Sequence, residues 1–346
     1  MRIPTAASSV IGVIANPASG RDIRRLSARA SVFPTAEKSS MVQRMLGAFG
    51  SLGVERVLML PDRAGIAAGV LRARDHQRQP AWPPLEFLEL PLTDSAEDSV
   101  AAVRALRAAR VRVIVVLGGD GTHRVVAGEC GDTPLATLSS GTNNAFPELR
   151  EATVTGIAAA LVATGRVPLA AAARRNKLLR VRAGGREDIA LVDVCVTRHA
   201  HRAARAVWDA ARIAELFVAF AEPAAIGLSS IAAMLQPVAR DDRRGYFVRC
   251  AAAGEARREV LAAIVPGLLA PVRVAESGWM EPGVAYPIHS RGGTIALDGE
   301  REIELAAGEE ASVRLDPAGP LTLDVAATLA WAARAGVMTG PPGREW

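Results

Sequence analysis

Along the first 165 positions, apolar residues fall in short unbroken runs, separated by longer stretches where they recur every three or four residues. The runs at 10–15, 54–60, 85–90, 111–117 and 134–138 predict strands buried on both faces, as in parallel sheets. The stretches 40–52, 63–76, 95–109, 123–128 and 148–164 predict helices, the third opened by the small and acidic residues Asp94-Ser95-Ala96-Glu97. Strand alternating with helix in this way predicts an α/β N-terminal domain on a doubly wound, mostly parallel sheet.

The pattern changes after Gly165. Runs at 178–182, 189–197, 246–251, 272–276, 294–297, 302–305, 312–315 and 321–323 are short enough for strands. Gly184-Gly185, Asp298-Gly299 and Pro317-Ala318-Gly319 supply the turns between them. They predict a β-rich, mainly antiparallel C-terminal domain with one helical insertion across 199–220. The amphipathic stretch 324–335 predicts a closing helix that packs back on the first domain. The expected division is therefore 1–165, 166–323 and 324–346.

Composition narrows the possible partners. The 346 residues suffice for two domains with substantial cores. A formal charge of +5 suits acidic ligands such as nucleotides. The arginines are scattered and not interleaved with aromatics, so no nucleic-acid partner is expected. Only two lysines occur, Lys38 and Lys177, neither in a glycine-rich loop, which excludes a Walker-type phosphate-bridging lysine. Cys130, Cys195 and Cys250 stand alone, predicting reduced cytoplasmic thiols and no zinc or disulfide framework. The apolar stretch 213–239 is interrupted by Glu215, Glu222, Pro223 and Gln236, so no membrane insertion is expected.

Candidate chemistry gathers where the predicted strands end. The run 111–117 passes straight into Gly118-Gly119-Asp120-Gly121-Thr122. These glycines let a ligand approach the backbone, and the helix start that follows attracts anions. Asp120 would repel a bare phosphate, so it reads as a group handling a hydroxyl or a metal-bound phosphate. Two roles stay open: accepting or positioning the proton of an acceptor hydroxyl, or orienting Mg²⁺ between phosphate oxygens. The competing explanation is a plain Asp-Gly turn.

Asn16-Pro17-Ala18-Ser19-Gly20 follows the first strand, where Ser19, Gly20 and the turn amides are placed to grip phosphate and Asn16 to meet nucleotide oxygens. Arg24 or Arg25 then reaches the transferring group, or simply solvates a basic helix start. Ser139-Ser140-Gly141-Thr142-Asn143-Asn144 follows the fifth strand and offers donors and acceptors suited to ribose and phosphates. Three such loops at strand ends of one sheet converge on one crevice. In the second domain, Asp298 and Glu300 are either a tight hairpin turn or carboxylates facing Asp120 across a cleft. His123, next to the glycine motif, is a candidate for orienting substrate. His199 and His201, one residue apart, fall on different faces of a helix and read as surface residues.

In order, Asn-Pro-x-Ser-Gly, Gly-Gly-Asp-Gly-Thr, Gly-Thr-Asn-Asn and Asp-Gly-Glu resemble the superfamily joining NAD kinases, diacylglycerol kinases and sphingosine kinases. The segments 12–25 and 225–231 bring the resemblance nearest to its ATP-NAD kinase-like branch, the acetoin catabolism protein X family. The resemblance runs from Gly12 to about Leu323. It implies a two-domain kinase using ATP and Mg²⁺, with ATP and a small hydroxyl-bearing acceptor, by default NAD, meeting between an α/β and a β-rich domain. It implies Asp120 as the catalytic or metal-organising carboxylate and Glu300 as the base of the lipid-kinase form. The loops carrying Asn16, Pro17, Ser19, Gly20, Arg25, Gly118, Gly119, Gly121, Thr122, Gly141, Thr142, Asn143, Asn144 and Asp298 would then hold nucleotide. The Asn-Glu pair typical of NAD kinases is replaced by Val192-Asp193, and the Thr/Ser-rich loop by 221–227, which favours kinase chemistry over NAD as acceptor. Asp193 keeps a carboxylate for the substrate. Two other readings stand beside this one: a lipid kinase, against which the lack of an evident cationic amphipathic membrane-docking helix speaks, and a non-catalytic nucleotide-binding regulator, against which the intact Asp120 and Glu300 speak. An exposed β-edge in the second domain predicts a homodimer.

Overall fold

Strand β1 (Val10–Ala15) is buried along its whole length, which shows how the first sheet is built. Ile11, Val13 and Ala15 point to one side of it, Val10 and Ile14 to the other. In the computed structural model, which describes residues 8–19, 33–75, 82–141, 144–198, 209–251 and 255–340, β1 lies at the centre of a sheet. It pairs in parallel with β2 (Arg56–Met59) and β4 (Val113–Gly118), flanked by β3 (Leu85–Phe87) and β5 (Leu135–Ser139), in the order β3-β2-β1-β4-β5. Helices α1 (Thr35–Ser51) and α2 (Ile66–Asp75) press Met41, Met45, Phe49, Ile66 and Val70 onto one face. Helices α3 (Ala96–Ala108) and α4 (Asp120–Glu129) cover the other with Val103, Leu106 and Val126. The doubly wound α/β architecture expected from the alternating pattern is present.

The sheet does not end with β5. Helices α5 (Ala152–Ala163) and α6 (Leu169–Ala172) lead to β6 (Ala173–Arg175), and the late strand β18 (Leu321–Leu323) inserts between β5 and β6. Residues 173–175 and 321–323 thus complete the first sheet, so the second domain lies between two crossings near Asn176 and Gly319. The crossings are tied together: Asn176 N donates to the Pro320 carbonyl at 3.0 Å, and Gly319 N to the Asn176 carbonyl at 2.9 Å. The Asn176 side chain also donates to Thr322 Oγ1 at 2.8 Å. Helix α8 (Val325–Arg334) then lies against α5 and α6 and buries Ala332 in the first core.

The second domain is a pair of antiparallel sheets. The smaller, in the order β14-β17-β7-β8, contains β7 (Leu178–Ala183), β8 (Arg186–Ala190), β14 (Ala285–Pro287) and β17 (Ala311–Asp316). The larger contains β9 (Asp193–Thr197), β10 (Ile213–Val218), β11 (Gly245–Cys250), β12 (Arg258–Val265), β13 (Leu268–Met280), β15 (Gly293–Leu297) and β16 (Glu300–Leu305), in the order β12-β13-β11-β10-β9-β15-β16. Val181, Val313 and Leu315 of one sheet meet Val194, Phe217, Ile295 and Ile303 of the other. The outer face of the larger sheet carries Leu216, Val218, Val248 and Val260 against Ile231 of helix α7 (Ser229–Leu235).

Two expectations are corrected here. The helix expected across 199–220 is a strand over 213–218, while 199–208 lie outside the described residues. β10 is central and covered on both faces, so its apolar run carries no period that separates strand from helix. The single strand expected over 189–197 is broken after Ala190, and the chain changes sheets there. Among the described residues, no helix is long and apolar enough to cross a membrane.

Candidate active site

The site begins where β4 turns into α4. Gly118 is required by closeness: a Cβ there would lie 2.6 Å from Thr122 Cβ. The turn is tight enough that Asp120 is already the first residue of the helix. Its carboxylate is buried and held from the neighbouring loop, accepting from Ala145 N at 3.0 and 3.1 Å and from Phe146 N at 2.8 Å. The Asn144 side chain completes the link, accepting from Asp120 N at 3.3 Å and donating to Ser139 Oγ at 2.8 Å.

The first loop is tied into the same cluster. Asn16 Nδ2 donates to Thr122 Oγ1 at 2.8 Å, and Asn16 Oδ1 accepts from Ala18 N at 2.8 Å, closing a turn over Pro17. Ser19 Oγ lies 2.6 Å from Ser140 Oγ. Beneath this loop sits Lys38 of α1, 1% exposed, whose Nζ donates to the carbonyls of Asn16 at 3.1 Å, Pro17 at 3.0 Å and Ser19 at 2.7 Å. The three loops expected to converge do so, through direct hydrogen bonds between the side chains of Asn16 and Thr122, Ser19 and Ser140, and through Asn144. Gly20, Arg25, Thr142 and Asn143, together with His199 and His201, lie outside the described residues.

The second domain reaches this cluster with the β15–β16 hairpin. Asp298 and Gly299 have φ of 51° and 79°, the left-handed pair of a two-residue primed turn, in which Asp-Gly is favoured. The turn brings Glu300 against α4: a Cβ on Gly121 would lie 3.2 Å from Glu300 Oε1. Two positions further along β16, Glu302 accepts from Arg124 at 2.8 Å, and Arg124 also pairs with Asp188 at 3.4 Å and approaches Asp298 at 3.9 Å. The strand therefore docks along the helix, Glu300 beside its first turn and Glu302 one turn later.

Asp298 turns inward and not to the cleft. Its carboxylate, wholly enclosed, accepts from Leu191 N at 3.0 Å, Val192 N at 2.7 Å and Asp193 N at 3.3 Å. These are the amides released where the expected strand 189–197 breaks, so Asp298 stitches the change of sheets. Burial pushes its pKa up to about 7; Arg124 opposes this and the charge of Asp120 adds to it. Asp193 is buried too, its carbonyl accepting from Asp298 N at 2.9 Å. His123 is fully buried behind the glycine turn, its Nδ1 2.8 Å from the Gly119 carbonyl and its ring 6.0 Å from that of Phe146. Burial lowers its pKa to about 4, so the ring is neutral.

Sequence reading missed Lys38, Arg124 and Arg240 in this assembly. Arg240, from the loop after α7, donates to the carbonyls of Ala145 and of Phe146, the second at 2.9 Å. Lysine scarcity was the available signal for Lys38: in an arginine-rich chain both lysines are buried donors to loop carbonyls, Lys177 to Ala239, Asp242 and Arg244. A compact ammonium points three donors at a carbonyl cluster, which a planar guanidinium does poorly.

Residues 11–167 match the ATP-NAD kinase N-terminal domain. Residues 177–318 match the acetoin catabolism protein X C-terminal domain, a span that fits between the two crossings. Over 342 residues the chain is 44% identical to acetoin catabolism protein X of Cupriavidus necator, covering 96% of this chain and 95% of that one. The chain belongs to the acetoin catabolism protein X family. The span that matches the ATP-NAD kinase domain contains the loops gathered around Asp120. Val192 is buried, with its amide bound to Asp298.

Proposed function

We propose that this protein is an ATP-dependent kinase that transfers the γ-phosphoryl group to a hydroxyl of a small metabolite. The observation that carries the reading is the approach of Glu300 from the second domain to the first turn of α4, where the three loops around Asp120 meet. The first N–H groups of a helix have no acceptor within it, so this turn suits phosphate oxygens. Asn16, Ser19 and Asn144 are assigned to the nucleotide. Glu300, half-buried at the cleft, is assigned as the base that takes the proton of the acceptor hydroxyl. Asp120, both of whose oxygens accept backbone N–H groups, is assigned to orientation.

The carboxylate content fits a metal that arrives with its nucleotide. No group of three or more His, Cys, Asp or Glu among the described residues is arranged to hold an ion alone. Mg²⁺ ordinarily relies on one or two carboxylates plus substrate phosphates, and Asp120 is the residue that would hold it. When bound, it supplies neutralisation of charge on the phosphate oxygens.

NAD is the default acceptor to test, but the buried Val192 leaves no amide side chain to read a dinucleotide. The name of the Cupriavidus relative speaks of acetoin catabolism, which supports a short hydroxylated acceptor. The test is incubation of pure protein with Mg-ATP and separate panels of NAD, short diols and hydroxyketones, and lipids, followed by mass spectrometry. A phosphorylated small acceptor is expected. Product from lipid alone overturns the acceptor class, and bound ATP without any product overturns the kinase reading.

A further inference from the structure

Arg240 belongs to the second domain, yet its guanidinium ends on the first. It is 11% exposed, with Nε 3.0 Å from Glu222 Oε1 and its carbon 4.3 Å from the ring centroid of Phe220 and 5.8 Å from that of Phe146. Its two terminal nitrogens donate to the carbonyls of Ala145 and Phe146. The amides of these same two residues hold the carboxylate of Asp120. The loop that carries Arg240 is itself fixed by Lys177 at the crossing, through the carbonyls of Ala239, Asp242 and Arg244.

We infer that Arg240 is a positioning residue, which sets the orientation of Asp120 through the Ala145–Phe146 peptide and ties that orientation to the seating of the acceptor domain. The Ala145–Phe146 peptide is a rigid plane held at both ends, its carbonyl by Arg240 and its N–H by Asp120, so the guanidinium fixes the direction of the Phe146 N–H. Hydrogen bonds in series also polarise one another, so a charged donor at one end strengthens the bonds to Asp120 at the other. Two flat aromatic rings beside the guanidinium and a carboxylate behind it hold the fork in one orientation. Arg240 is carried by the acceptor domain, so its support of the Asp120 loop depends on how that domain is seated. The catalytic consequence of this relay rests on the kinase reading; the relay itself does not.

The test is a double-mutant cycle on the full chain with Arg240→Gln, Arg240→Lys and Asp120→Asn. Thermal unfolding of the two single variants and the Arg240→Gln/Asp120→Asn double variant needs no turnover. Non-additive shifts are expected, because both changes act on the Ala145–Phe146 peptide. With an acceptor in hand, Arg240→Gln lowers kcat on the order of 10²-fold while KM for ATP stays near wild type, as for a small misplacement of the reacting groups. Arg240→Lys recovers part of the loss, since it keeps the charge but not the two-pronged contact. Additive unfolding shifts, or an unchanged kcat in Arg240→Gln, overturn the inference. If the wild type phosphorylates nothing, the kinase reading fails, and the unfolding cycle alone decides whether the relay exists.

Discussion

Glu300 and Gly121 stand so close that a single methyl group would sit between them, 3.2 Å from Oε1. Helix α4 and strand β16 belong to different domains, so this contact is where the two halves of the site touch. Gly121 has an ordinary helical backbone, which makes the side-chain space, and not strain, the reason for glycine.

Gly121→Ala is therefore expected to raise or preserve stability, since alanine is favoured over glycine in a helix by about 1 kcal/mol. Turnover falls at the same time, because Glu300 must move by a few tenths of an ångström. Melting temperature and kcat measured together check this. A variant that is both less stable and fully active would remove Glu300 from the chemistry.

Asp120→Asn is expected to fold, since an amide oxygen in the place of Oδ1 still accepts from both the Ala145 and Phe146 amides. Its turnover should drop on the order of 10²-fold, as expected when a group that orients the reacting atoms is lost. Circular dichroism and steady-state rates separate folding from chemistry, and retained activity would exclude this carboxylate from the mechanism.

Lys38→Met keeps the volume of the side chain and removes its donors. Three carbonyls lose their bonds, that of Ser19 buried and those of Asn16 and Pro17 half-buried, at a cost of roughly 1–3 kcal/mol for the buried group left unsatisfied. Urea unfolding should show the loss, and KM for ATP should rise more than kcat falls, because the loop held by Lys38 is the one assigned to phosphate. An unchanged KM would mean that the loop keeps its shape without the lysine.

His123 and Asp298 give opposite pH dependences over nearly the same window. His123 falls from its usual 6.5 to about 4 on folding, so its contribution is complete above pH 6.5 and is lost as pH drops towards 4. Asp298 rises from 3.8 to about 7, so its contribution is complete below pH 3.8 and is lost as pH climbs through 7. In the wild type the two slopes offset. His123→Gln should unmask stability that falls as pH rises from 4 to 7, and Asp298→Asn stability that rises from 4 to 6.5. Chemical unfolding across this pH range reads both slopes, and parallel curves for the two variants would contradict the assignment.

The first domain was legible because its strands are short, buried and followed by turn residues. Val10–Ala15 is found with the same limits by pattern and by structure. The loops were legible for the same reason, as each carries glycine, serine or asparagine at the end of such a strand. β10 was not legible, because a strand covered on both faces shows no alternation. The break at Leu191 was invisible too, since it depends on Asp298, more than 100 positions away in the chain. Arg124 and Arg240 carry no local signal: their roles come from carbonyls and carboxylates supplied by the other domain.

The placement of β18 between β5 and β6 has a consequence for synthesis. A ribosome delivers residues 1–175 well before Leu321–Leu323, so β5 must wait as an open edge while the whole inserted domain is made. The first half of the chain is thus a sheet missing an inner slat until translation is almost finished, and a gene cut at the first crossing would yield a fragment with its hydrogen-bonding edge bare.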